Sequence, residues 1–133
     1  MSASPLPPRI LLVMPAQWPR ALLRAALREE GYDASGTRAL NGALYQAAPD
    51  PARGPVRLVL VDQDALGEGH IRQVEELRAR TSGAPILLLA PATRQAQEGP
   101  WASVIRRPVS IAELVQAIES LAPLPPEARH PID

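Results

Sequence analysis

Short apolar runs alternating with amphipathic segments place this chain in the α/β class, built on a parallel sheet with crossover helices. Three observations carry that expectation. Ile10-Leu11-Leu12-Val13, Leu58-Val59-Leu60-Val61 and Ile86-Leu87-Leu88-Leu89 are unbroken apolar runs, and Val104-Ile105 is a shorter one. Continuous runs of this length suit strands buried on both faces, as in a parallel sheet. Between them lie stretches whose apolar residues recur at helical spacing. Finally, the second long run leads directly into Asp62. A carboxylate at the C-terminal end of such a strand stands where open α/β sheets place their ligand sites.

The first strand covers about 9–14. A helix over 18–30 follows, with Pro19 in its first turn, Gly31 as its C-terminal cap and an apolar stripe of Leu22, Leu23, Ala26 and Leu27. A weak second strand is expected at 32–36. Leu40, Ala43, Leu44 and Ala47 mark a short helix stopped by Pro49 and Pro51. The third strand is 56–62. A helix over 69–80 is expected to bury Ile71, Val74 and Leu77, with Gly83 after it. The fourth and fifth strands fall at 85–90 and 102–106. The last helix starts at Ser110, with Glu113 completing a capping-box pattern, and carries the stripe Ile111, Leu114, Val115, Ile118 and Leu121. The segment 91–100 has almost no large apolar residue, so the fourth crossover is expected to be shortened or irregular. Residues 1–8 read as a flexible N-terminal tail, 9–121 as a single domain and 122–133 as a Pro-rich C-terminal tail.

Composition removes several function classes. The chain has 133 residues, enough for one domain with a core. Its 14 basic residues, all arginine, balance 14 acidic ones, so the basic excess of a nonspecific nucleic-acid binder is missing. Without cysteine there are no disulfides or thiolate metal sites. His70 and His130 lie far apart, which argues against zinc. No apolar run is long enough to span a bilayer and no signal peptide opens the chain, so a cytoplasmic location is the expectation.

Asp62 after the third strand, Gly31-Tyr32 after the first helix, Ala84-Pro85 opening the fourth strand and Arg107-Pro108 after the fifth resemble, in order and spacing, the receiver domain of two-component response regulators. The likeness spans roughly residues 9–121. It implies a bacterial chain with a three-layer α/β/α sandwich, flavodoxin-like, whose five parallel strands run in the order 2-1-3-4-5, and a cis bond between Arg107 and Pro108. Receivers use an acidic pair after the first strand to hold Mg²⁺, a phosphoaccepting aspartate after the third, a hydroxyl after the fourth and a lysine after the fifth. Carried over residue by residue, these positions fall on Met14 and Pro15, on Asp62, on Ala90 and on Arg107. Asp62 alone is retained. The aromatic switch position falls on Val104, and the shortened 90–107 connection erodes a surface many receivers use for output.

The resemblance therefore implies a degenerate receiver: a non-catalytic, stand-alone signalling or protein-interaction module with no catalytic residue and no cofactor, Mg²⁺ included. Asp62 is the candidate phosphoacceptor of a degenerate pocket formed by Met14, Pro15, Ala90 and Arg107. An ion pair between Asp62 and Arg107 is preferred over a free carboxylate. Trp18 and Trp101 are candidate interaction residues, each equally readable as local packing. Arg72, Glu75, Glu76, Arg78 and Arg80 read as a solvated face. A protein partner or self-association as a homodimer is expected, with no nucleic acid and no membrane. Two alternatives stand beside this reading. One is a genuine phosphoaccepting receiver in a phosphorelay using Asp62. The other is a small-ligand binder at the strand-end crevice, for which no phosphate loop, nucleophile elbow or carboxylate pair speaks.

Overall fold

A computed structural model describes residues 5–126. Residues 1–4 and 127–133, with His130 and Pro131, lie outside the described residues. The elements in order are β1 (Arg9–Val13), α1 (Gln17–Glu30), β2 (Asp33–Thr37), α2 (Leu40–Gln46), β3 (Val56–Asp62), α3 (His70–Arg80), β4 (Ile86–Ala90), β5 (Ser103–Arg106) and α4 (Ile111–Leu121). A single 3₁₀ turn, Gln63–Ala65, follows β3. The five strands form one parallel sheet in the order β2-β1-β3-β4-β5, as the resemblance implies.

Alternation along the central strands divides the core into two layers. Ile10, Leu12, Leu58, Leu60, Leu87 and Leu89 pack against Leu23 and Leu27 of α1 and Leu114 and Ile118 of α4. Leu11, Val13, Val59, Val61 and Ile86 pack on the opposite face, against Leu40 and Ala43 of α2 and Val74 and Leu77 of α3. Each such side chain, fully buried, contributes on the order of 2 kcal/mol from apolar transfer alone. The helix ends follow their sequence signals. Gly31 closes α1 at φ 114°, in the left-handed region that favours glycine. Ser110 and Glu113 form the capping box that starts α4.

Two apolar residues expected in the core are not there. Leu22 is 56% exposed and Ile71 45% exposed. At ~100° per residue, Leu22 lies about 120° from the centre of the buried Leu23–Leu27 pair, and Ile71 about 90° from that of Val74–Leu77. Beyond α4 the chain stays in the core: Ala122 and Leu124 are buried and the Tyr32 hydroxyl donates to the Ala122 carbonyl at 2.7 Å. Before β1, Pro8 is buried and its carbonyl accepts the Asp33 N–H at 2.9 Å.

The fourth crossover contains no helix. Polar ties hold it in place of an apolar face. The buried Gln63 amide donates to the Gln95 carbonyl at 3.0 Å and accepts the Gln97 N–H at 2.9 Å. Trp101 Nε1 donates to the Gln97 carbonyl at 2.8 Å, and Arg106 Nη1 donates to the carbonyls of Pro91 and Arg94 at 2.9 and 2.8 Å. Trp101 also packs on the α2–α3 side of the core, so it covers part of the gap. Val104, on that same side of β5, remains 44% exposed. Gln63→Ala should cost about 1–3 kcal/mol in urea unfolding, because a carbonyl and an N–H lose their buried partner. Hydrogen exchange should quicken within 91–100 and leave β1, β3 and β4 unchanged; uniform loss of protection would show that the loop is not held locally.

Candidate functional site

The site lies at the C-terminal ends of β1, β3, β4 and β5. Asp62 is the last residue of β3, and its side chain folds back to accept the Asp64 N–H at 2.9 Å, capping the 3₁₀ turn. The carboxylate is almost fully enclosed, its side chain 2% exposed. Arg107 follows β5 and is positioned by its own N–H, which donates to the Ala90 carbonyl at 3.0 Å, and by the cis bond to Pro108. Its guanidinium grips Asp62 from two nitrogens, Nη2 to Oδ2 at 2.7 Å and Nη1 to Oδ1 at 3.4 Å. The hydrogen bond to Asp62 raises the Arg107 pKa above its already high ordinary value; burial opposes the shift, and the charges of Asp62 and Asp64 add to it. The arrangement is the expected Asp–Arg pair, charge-assisted and fork-shaped.

The other candidate positions are brought to the same rim but add no side-chain oxygen. Met14 is buried in the α1–α4 layer, and its carbonyl accepts from Arg20 Nη1 at 2.6 Å. Pro15 is exposed and Ala90 is fully buried. Asp64 lies in the 3₁₀ turn and pairs with Arg94 at 2.9 Å. Trp18 is the second residue of α1 and is 74% exposed, whereas Trp101 packs into the α2–α3 layer. His70 begins α3, with both ring nitrogens against carbonyls, of Gly67 at 3.1 Å and Glu98 at 3.3 Å.

Sequence pattern did not single out Arg20, Arg94 or Gln63. Arg20 sits one helical turn past the proline after β1, a position from which a long side chain reaches back to the strand end. Arg94 lies in a segment with no periodicity, so nothing local marks it. Gln63 follows Asp62 directly, and a polar residue there is unremarkable until the loop folds over it.

These donors do not fit Mg²⁺. The ion takes near-octahedral oxygen ligands, commonly one or two carboxylates with phosphate and water. Here both oxygens of Asp62 already accept from Arg107, with Asp64 N–H on one of them, and Asp64 is engaged by Arg94. The side chains of Met14 and Pro15 offer no oxygen, and arginines occupy the rim. Among the described residues no group of three or more His, Cys, Asp or Glu side chains is placed to hold a metal.

No protein-family profile and no curated protein matches the chain. Solved structures do. It resembles the chemotaxis response regulator CheY4 of Vibrio cholerae (TM-score 0.71, 18% identity, covering 86% of this chain and 98% of that one). It also resembles the receiver domain of the sensor histidine kinase PA1611 from Pseudomonas aeruginosa, solved with magnesium coordinated in its active-site cleft (TM-score 0.70, 21% identity, covering 87% and 98%). A response regulator receiver domain from Methylobacillus flagellatus superposes with TM-score 0.68 at 18% identity over 86% and 98% of the two chains. The fold is thus that of response regulator receiver domains. Among the described residues no helix is long and apolar enough to cross a membrane.

The two partners of the ion pair are unequally buried, Arg107 at 32% exposure and Asp62 at 2%. That asymmetry sets the order of two variants. Asp62→Asn frees a guanidinium that can turn to water and keeps an oxygen for the Asp64 N–H, so it should cost about 1 kcal/mol. Arg107→Met strands a buried carboxylate and should cost about 3 kcal/mol. Urea unfolding of both variants decides; equal costs would mean that the carboxylate is not held by this pair.

Proposed function

We propose that this chain is a non-catalytic pseudo-receiver: a signalling module that works in the cytoplasm by binding another protein or a second copy of itself. The observation that carries the reading is the two-nitrogen grip of Arg107 on the buried Asp62. In a receiver working as a switch, the aspartate must accept a phosphoryl group from a donor, and the charge of that transfer must be neutralised, much of it by metal. In this chain the carboxylate is already neutralised by a side chain of the protein itself. Ala90 has no hydroxyl to donate to a phosphoryl oxygen, and Val104 has no ring to move between a buried and an exposed position. The rim then presents one constant surface. The alternative, a phosphoaccepting receiver, draws on Asp62 standing at the end of β3 and on Arg107, a cation able to meet phosphoryl oxygens once the pair opens.

Acetyl phosphate with Mg²⁺ should leave the intact mass unchanged, and beryllofluoride should leave the amide spectrum of the 60–66 and 88–108 segments in place. Titration with Mg²⁺ alone should give no saturable response. A phosphorylated Asp62, or a saturable Mg²⁺ response that disappears in Asp62→Ala, would favour the phosphoaccepting alternative and overturn the pseudo-receiver.

A further inference from the structure

We infer that a cavity at the N-terminal end of the sheet binds a small apolar carboxylate, with Arg57 meeting its charged group. The site goes beyond the proposed function and lies at the opposite end of β3 from Asp62. The cavity holds about 610 Å³, within the range of small-molecule sites. Two Pro-rich segments wall it, Pro5, Leu6 and Pro7 before β1 and Pro123 and Pro125 after α4. Both walls are tied to the domain. The Asp33 N–H donates to the Pro8 carbonyl at 2.9 Å, and the Tyr32 hydroxyl donates to the Ala122 carbonyl at 2.7 Å. Gly54, at φ 83°, lies so close to Leu6 that a Cβ there would stand 3.3 Å from Leu6 Cδ1. Each proline fixes its own φ, so the walls keep their shape without a ligand. Leu6 remains 51% exposed, an apolar side chain on the cavity wall that an apolar body would cover.

Charge selects the occupant, and the strand itself delivers it. In a regular strand, residues two apart share a face. Along β3 that alternation breaks: Val56 packs in the α2–α3 layer and Leu58 in the α1–α4 layer. The break is a bulge. β1 pairs Arg9 with Val56 and Ile10 with Leu58, so Arg57 has no opposite residue there, and pairing with β4 begins only at Val59. Bulges are rare between parallel strands, and they re-aim a side chain. Arg57 is exposed, lines the cavity and makes no ion pair or side-chain hydrogen bond among the described residues. Arg53, also on the wall, holds Asp33 through Nε and Nη2 at 2.8 and 2.9 Å. Among the described residues no acidic side chain lines the cavity. Apolar walls with guanidinium groups and no carboxylate are complementary to an apolar body that ends in an anion. Because Arg53 is committed to Asp33, the charge left to Arg57 suits a singly charged head, a carboxylate rather than a phosphate. A guanidinium meets a carboxylate in a planar, two-bond contact.

Calorimetric titration of the full chain with octanoate should show saturable binding, weaker at higher salt. Acetate, which lacks the apolar body, and octanol, which lacks the charge, should both bind far more weakly. Octanoate should shift amide signals within 5–8, 53–58 and 121–125 and leave 60–66 in place. Arg57→Gln should raise the octanoate dissociation constant on the order of tenfold, as expected for loss of a charge-assisted contact. Urea unfolding should stay unchanged, because Arg57 has no side-chain partner in the described fold. Arg57→Lys, which keeps the charge, should recover part of the affinity. Absence of saturable binding, equal binding of octanol, shifts confined to the Asp62 end, or an affinity that Arg57→Gln leaves unchanged overturns the inference. None of these results bears on the pseudo-receiver reading, which stands or falls on the state of Asp62 after phosphodonor treatment.

Discussion

Covering β1, β3 and β4 on both faces ties their backbone groups to neighbouring strands and, apart from Arg9, Arg57 and Asp62 towards the strand ends, leaves their side chains apolar. Polar chemistry is thereby pushed to the strand ends, where the pleat stops and the chain turns. Asp62 stands at that limit: one residue earlier it would lie inside the α2–α3 layer with Val61, and one residue later the chain has turned into the 3₁₀ segment. A carboxylate held so close to the core needs a cation beside it. Arg107 is the residue delivered there, because β5 ends two strands away on the same rim and its backbone is tied to Ala90. The ion pair is a consequence of sheet burial as much as of any local motif.

The same constraint explains how much could be read before folding. The central strands were legible because burial on both faces writes itself as an unbroken apolar run. The end of α1 and the start of α4 were legible because Gly31 and the Ser110–Glu113 box are short-range signals. Asp62 and Arg107 could be paired only through the receiver resemblance, since 45 residues separate them in the chain. Leu22 and Ile71 misled for a different reason. A single-sequence stripe records which residues are apolar, but the angle at which a helix meets its sheet decides which of them are covered. Both belong to the apolar stripes that the sequence shows, and both lie well off the buried line.

The fourth crossover shows a different kind of substitution. A receiver-like sheet with no helix between β4 and β5 leaves the outer part of one face uncovered, and Val104 is exposed as a result. The loop replaces apolar cover with hydrogen bonds from Gln63, His70, Trp101 and Arg106 to its main chain. Such bonds fix the path of a segment while contributing little net stability, because water competes for each of them. This part of the molecule is specified by geometry more than by burial, and its course was invisible to periodicity for that reason.

At the rim, arginine stands where receivers carry lysine, and the whole chain contains no lysine at all. The exchange alters the covalent chemistry open to the site. An ε-amine can be acetylated, which erases its charge, or can lose its proton when buried; a guanidinium in a protein does neither. Acylation at Arg107, or at any of the other arginines that bind carboxylates across this surface, is therefore closed as a means of releasing Asp62. What stays open at Arg107 is methylation, which keeps the charge and blocks a two-nitrogen grip.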